Sequence, residues 1–446
     1  MLNRLSLTQL AAEIASGRAS AAEAVESYLR EIEARNPRTN AFVSVLAEEA
    51  RAAAKNAPRG PLHGVPITIK DSFDVAGRPT YCGSKLRLDH RAAFDATPVA
   101  KLRAAGAIVL GKTNCPEFLY NYETDNHIAG RTNNPWNFER TSGGSSGGEA
   151  AAIASFCSAG GMGSDGGGSI REPAHFCGIA GLKPTPGRVS GAGHWPLIAH
   201  PGGLLGVCGP MARTAADVRL LFETVAGYDD QDPFSAPVPV RRPSLDGLRV
   251  GLLELPADPA VTKALHKAAR TIEGLGFVVE PVAPRSLERA HRLWWFFFGR
   301  LAAPFIRQMA AGRERDLHWT GCELIDRALE EPAPRMEEVV ENLAARDAMR
   351  AALLRRMRDY RVLLAPPCAV TAFPHRDRSF DVLAAMSPLT FSNLLGLPAL
   401  VIPFDVTDEK LPSGVQLIAG PYGEELLLEL AVRMEEARGP FPLPEC

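Results

Sequence analysis

Apolar residues recur at helical spacing over residues 5–16, which predicts an amphipathic helix. A second helix is predicted from Ser20. The order Ser20-Ala-Ala-Glu23 is a capping box, in which each side chain satisfies a backbone N–H that the first turn leaves free. Pro37 is expected to end that helix near Asn36. The period then changes. Residues 58–64 are turn-rich, and the apolar, β-branched run 65–70 predicts a short strand. A helix is expected over 97–105 and a strand over 107–110. Residues 237–243 (PVPVRRP) read as an exposed connector. Beyond it the pattern predicts a strand and turn at 247–256, a helix at 258–275 and a strand at 277–281. Residues 286–358 read as largely helical. Short strands follow near 362–366, 398–403 and 414–419, and a closing helix at 424–438. Strands and helices mixed from end to end, with no internal repeat, indicate an α/β fold.

Composition narrows the function classes. Of 446 residues, 46% are hydrophobic and 22% charged, which is ordinary for a folded protein and excludes a disordered chain. Lys and Arg number 49 against 51 Asp and Glu, so nucleic acid is not expected as the main partner. The eight cysteines form no C-x-x-C pair and no zinc-like spacing. Cys157, Cys177 and Cys208 lie among small or apolar residues, as buried free thiols do. A reducing compartment, the cytoplasm, is the expected location. No stretch approaches the roughly 18 apolar residues of a membrane span. The run 293–298 (LWWFFF) is far too short.

Glycine and serine are dense over 141–190, so the backbone there is expected in unusual conformations or close to a ligand. Two patterns mislead. Gly106-Ala-Ile-Val-Leu-Gly111-Lys112-Thr113 matches a phosphate-binding loop. That chemistry needs a loop between the glycines, whereas here a helix precedes Gly106 and the intervening residues read as strand. Gly143-Gly-Ser145-Ser-Gly147 and Gly144-Ser-Ser146-Gly-Gly148 each fit the G-x-S-x-G elbow. The preceding residues 137–142 are mostly polar and do not read as the buried strand that the elbow requires. His194 and His200 lack a metal-ligand spacing and read as structural or pocket-lining residues.

Three segments carry the chemistry together. They are Gly64-Val-Pro-Ile-Thr-Ile-Lys70-Asp71, Gly143-Gly-Ser145-Ser146-Gly-Gly148, and Gly163-Ser-Asp165-Gly-Gly-Gly-Ser169-Ile-Arg171 continuing through Gly178-Ile-Ala-Gly-Leu-Lys183-Pro-Thr185. Ser145 and Ser169 stand 24 residues apart. In order, wording and spacing these segments resemble the amidase signature family. The resemblance extends through Gly111-Lys-Thr-Asn114, Asn134-Pro-Trp136, Gly187-Arg188-Val-Ser190, Gly209-Pro-Met-Ala-Arg213, Leu397-Pro-Ala-Leu-Val-Ile-Pro403 and Gly414-Val-Gln-Leu-Ile418. It is weakest over 230–380.

The resemblance implies a single amidase-signature domain over 1–446, with a twisted mixed β-sheet covered by helices on both faces. Within it, 60–215 would be the catalytic core and 240–380 a variable, substrate-shaping region. It implies an amide hydrolase with Ser169 as nucleophile, Ser145 as a bridging serine after a cis peptide bond from Gly144, and Lys70 as base. The backbone at Gly166, Gly167, Gly168 and Ser169 would form the oxyanion hole. No metal and no cofactor are implied. The residue types fit these tasks. A serine hydroxyl needs a base to become a nucleophile, and burial disfavours the charged form of a lysine. Asp71 would oppose this if close, but is expected on the other strand face. Gly166 stands where the family usually has Thr, and Glu149 where a small residue is commoner. Glu149 reads as an acid favoured at a helix N-terminus. Asp165 and Arg171 read as loop-holding residues.

The partner is expected to be a small-molecule amide, with no membrane span and with a homodimer left open. Leu119, Tyr122 and Gly144 are expected at the substrate, since 114–123 is similar to a segment near the acyl pocket of fatty acid amide hydrolase-like members. Residues 294–298 are either a further pocket wall or a helix core or subunit contact. Two alternatives remain. One is the glutamine-hydrolysing component of a tRNA-dependent amidotransferase, whose glycine- and tyrosine-rich C-terminal segment is not evident. The other is a non-catalytic assembly subunit on the same fold.

Overall fold

The computed structural model describes residues 1–198, 204–283 and 289–445. Strands follow in chain order: β1 (Phe42–Val45), β2 (Pro66–Lys70), β3 (Ile108–Thr113), β4 (Asn133–Asn134), β5 (Asn137–Thr141), β6 (Gly160–Asp165), β7 (Ala180–Lys183), β8 (Val207–Ala212), β9 (Arg249–Leu252), β10 (Val278–Pro281), β11 (Val362–Ala365), β12 (Ala399–Val406) and β13 (Pro412–Ala419). β4 and β5 form a small hairpin. The other eleven form one sheet in the order β1-β3-β2-β6-β8-β7-β12-β13-β11-β9-β10. The sheet is mixed. β2 runs parallel to β3 and β6, whereas β6, β8, β7, β12, β13 and β11 pair antiparallel in succession.

Both sheet faces are covered. Successive strand side chains point to opposite faces, and on β11 Val362 and Leu364 join one apolar cluster while Leu363 and Ala365 join another. The first cluster includes helices Ala21–Thr39, Ala215–Val225, Pro259–Gly274 and Glu424–Arg438. The second includes helices Ala290–Trp295, Trp319–Leu329 and Ser387–Leu394. A strand buried at every position needs such two-sided cover, and β2, β3, β6 and β13 are buried throughout.

The Ser20–Glu23 capping box is present. The helix it starts runs to Thr39, past the expected stop at Pro37. A proline in the last turn forfeits only one N–H. Asn36 Oδ1 accepts from the N–H of Ala41 and Phe42, and Asn40 closes the turn in the left-handed conformation. The strand expected at 107–110 continues to Thr113 and so contains the Gly-Lys-Thr of the phosphate-loop pattern. Lys112 is buried there, 2.8 Å from Asp71 Oδ1, and donates to Pro79 O and Thr80 Oγ1. The helical expectation over 286–358 is met from Ala290 onward, in separate helices; residues 286–288, and His200, lie outside the described residues. Cys157, Cys177 and Cys208 are buried free thiols. Among the described residues no helix is long and apolar enough to cross a membrane.

Candidate active site

Lys70 is the last residue of β2 and is fully buried. Its Nζ lies 2.7 Å from Ser145 Oγ, 2.9 Å from Ser146 Oγ and 3.1 Å from Ser164 Oγ. No described carboxylate forms an ion pair with it. Burial lowers its pKa to about 8, against 10.5 for a solvated lysine. Asp71, as expected, faces elsewhere: its carboxylate meets Lys112 and the N–H groups of Tyr81 and Cys82.

Ser145 sits in the turn before helix Gly147–Ala154, and the Gly144–Ser145 peptide bond is cis. Gly143 adopts φ +84°, which only glycine holds freely. The turn is tied at both sides. Gly144 N–H donates to Glu172 Oε2 at 2.8 Å, and Thr124 Oγ1 donates to Gly143 O at 2.8 Å.

Ser169 lies at the end of the glycine loop that leaves β6. Asp165 holds this loop, accepting from Gly168 N–H at 2.7 Å and from Ile170 N–H at 3.1 Å. Arg171 forks onto the same carboxylate at 2.9 and 3.0 Å and donates onward to Leu389 O, Ser392, Asn393 and Gln416. Burial alone would raise the Asp165 pKa. Arg171, Lys183 and Asn393 together outweigh it and hold the carboxyl below its usual range. One sequence expectation changes here: the N–H of Gly168 is committed to Asp165 and does not point free into an oxyanion site. Behind the loop, Trp294 Nε1–H donates to Gly166 O at 2.8 Å and Tyr122 OH donates to Gly167 O at 3.0 Å.

A cavity of about 350 Å³ opens over these residues. Ser145 and Ser169 share its wall with Leu119, Phe298, Ile306 and His194. The wall is predominantly apolar, and among the described residues its one charged group, Asp165, is paired. Phe118 and Leu119 hold φ of 55° and 63°, a region costly for bulky side chains and characteristic of functional sites. One wide helical turn, Phe296–Arg300, contributes both Phe297 and Phe298.

The structure therefore brings Lys70, Ser145 and Ser169 to one place, with Lys70 behind Ser145. Ser145 and Ser169 make no hydrogen bond to each other among the described residues. Of the expected substrate contacts, Leu119 is on the wall. Tyr122 lies behind the loop with its hydroxyl satisfied, and Gly144 packs against the backbone of residues 121–123. Sequence reasoning missed Ser146 and Ser164 as further Lys70 partners and Glu172 as the anchor of the cis turn. Ser146 lies in a turn, Ser164 in a strand and Glu172 in the first turn of a short helix, and none carries a local signal. Glu149 is indeed in a first helical turn, but faces inward. It accepts from Thr68 and Thr113 hydroxyls at 2.5 and 2.6 Å, and burial raises its pKa to about 7.

Residues 23–428 match the family model described as Amidase. The chain is 37% identical to the indoleacetamide hydrolase of Bradyrhizobium diazoefficiens, over 97% of this chain and 86% of that protein. It is 32% identical to the A component of the glutamyl-tRNA(Gln) amidotransferase of Methylococcus capsulatus, over 98% and 97% of the two chains. The solved structure of 6-aminohexanoate cyclic dimer hydrolase complexed with substrate superposes with a TM-score of 0.89 at 29% identity, covering 100% of this chain and 99% of that one. The chain belongs to the amidase family and is an amide-bond hydrolase.

Proposed function

We propose that the chain hydrolyses small amides with an apolar acyl group through an acyl-enzyme on Ser169. Neutral Lys70 takes the proton of Ser145 as Ser145 takes that of Ser169, and the Ser169 oxygen adds to the amide carbon. The oxyanion faces loop N–H groups at Gly166, Gly167 and Ser169. The proton then returns through Ser145 to the nitrogen, the C–N bond breaks, and ammonia or an amine leaves. Water hydrolyses the ester by the same relay. The observation that carries this reading is the buried 2.7 Å contact between Lys70 Nζ and Ser145 Oγ, in a wall shared with Ser169. The link from Ser145 to Ser169 is expected to tighten with substrate, as catalytic hydrogen bonds commonly do.

The apolar cavity supports an uncharged acyl chain. A glutamine would bring an ammonium and a carboxylate into a wall whose one charge is already paired, which favours a general amide hydrolase over the amidotransferase component. The segment 240–380 supplies Phe297, Phe298 and Ile306, in keeping with a substrate-shaping role within one domain. The test is acyl trapping. A serine-directed fluorophosphonate should label Ser169, located by mass spectrometry, and Ser169→Ala should lose the label. Equal labelling of that variant, or none on the native protein, overturns the mechanism. Glutamine-dependent ammonia release only with a partner protein present would turn the assignment to the amidotransferase.

A further inference from the structure

Among the described residues the cavity wall holds few polar side chains, and nearly all are committed. Ser145 Oγ and Ser164 Oγ meet Lys70. Asp165 is saturated by Arg171 and the loop. Tyr120 OH donates to the carbonyls of Phe298 and Gly299. His194 is different. Its ring stands edge-on to Phe73, with centroids 5.0 Å apart, and its Nδ1 lies 2.8 Å from Pro196 O. A carbonyl oxygen only accepts, so Nδ1 carries the proton and Nε2 presents a lone pair. Nε2 is buried and has no hydrogen-bond partner among the described residues. Burial also holds the ring pKa down at about 3, so the lone pair persists across the neutral and alkaline range.

We infer that His194 Nε2 accepts the N–H of the scissile amide and so orients the leaving nitrogen. The inference rests on the Ser169 reaction proposed above. When Ser169 adds to the carbonyl, the planar amide nitrogen becomes pyramidal and its delocalised electron pair localises as a lone pair. That lone pair must face the Ser145 hydroxyl before the C–N bond can break. A nitrogen whose N–H is held cannot turn its lone pair away. No bond to His194 forms or breaks, and the held proton stays on nitrogen. An ester oxygen carries no N–H, so this contact acts on amides and not on esters.

The experiment compares a p-nitroanilide with the p-nitrophenyl ester of the same short apolar acyl group. It reads kcat/KM, which reports acylation for both. In His194→Phe the ratio of anilide to ester kcat/KM should fall about tenfold. His194→Gln, which keeps an acceptor, should recover part of the anilide rate. Should the phenylalanine variant fail to fold, His194→Leu serves in its place. An unchanged ratio of anilide to ester, whether both rates fall together or neither falls, overturns the inference. Fluorophosphonate labelling of Ser169 in the same preparations separates this failure from failure of the serine mechanism itself.

Discussion

The indole Nε1–H of Trp294 donates to Gly166 O at 2.8 Å, and a Cβ at the next residue, Gly167, would run into the same indole. The aromatic run, readable from sequence as either pocket or core, thus divides its labour. Trp294 braces the loop before Ser169, and Phe298 faces the cavity. Gly167→Ala should therefore displace the loop and lower kcat by about two orders of magnitude or more, in the range lost with one oxyanion donor. Trp294→Phe keeps an aromatic ring, loses one hydrogen bond worth about 1 kcal/mol, and should slow turnover only several-fold. Steady-state kinetics on both variants check the order, and a Gly167→Ala enzyme as active as the native one refutes the bracing.

Activity should rise with pH. Only the neutral amine of Lys70 can take a proton, and burial lowers its pKa to about 8. Below that value kcat/KM should drop about tenfold per pH unit, and above it level off. Lys70→Met should be inactive at every pH while remaining folded, since a buried apolar chain replaces a buried amine. A profile flat between pH 6 and 10 contradicts the role of Lys70.

Glu149 couples stability to pH in the opposite sense from a surface acid. Its folded pKa of about 7 is above the usual 4.5, so the folded state holds a proton that the unfolded state releases. Its contribution is largest below pH 4.5 and declines as pH rises to 7. Glu149→Gln mimics the protonated form and removes that decline. Relative to the native protein, the variant should gain up to about 3 kcal/mol between pH 4.5 and pH 8. Denaturant midpoints at the two pH values measure this, and a gain of the opposite sign rejects the assignment.

The apolar wall predicts a chain-length dependence. Each added methylene on a linear acyl amide should raise kcat/KM about fourfold, following about 0.8 kcal/mol per buried CH₂, until the cavity is filled. Phe298→Glu should abolish the trend. A rate series that ignores chain length would place the acyl group outside this cavity.

Much of the fold was legible where periodicity speaks. The capping box at Ser20, the apolar strand at β2 and the closing helix Glu424–Arg438 follow from local patterns. β6 was not legible. Its sequence, GGMGSD, lacks the β-branched residues that mark a strand. The glycines are there for proximity. A Cβ at Gly161 would meet Thr68 O and the Glu149 carboxyl, and one at Gly163 would meet Ser146 and Met211. The site shows the same division. Lys70, Ser145 and Ser169 stand in ordered motifs, whose convergence the fold then explains. The roles of Glu172 and Trp294 were not legible, since each acts through a contact across more than twenty residues of chain that no local pattern encodes, whereas His194, read as structural or pocket-lining, does line the cavity.

Lys70 and Lys112 are buried on adjacent parallel strands, yet only one has a carboxylate beside it. Asp71, the sequence neighbour of Lys70, faces away and pairs with Lys112, which leaves Lys70 without a carboxylate partner among the described residues. The nitrogen proposed to cycle between two protonation states is left among hydroxyls, which can follow either one by turning an O–H bond.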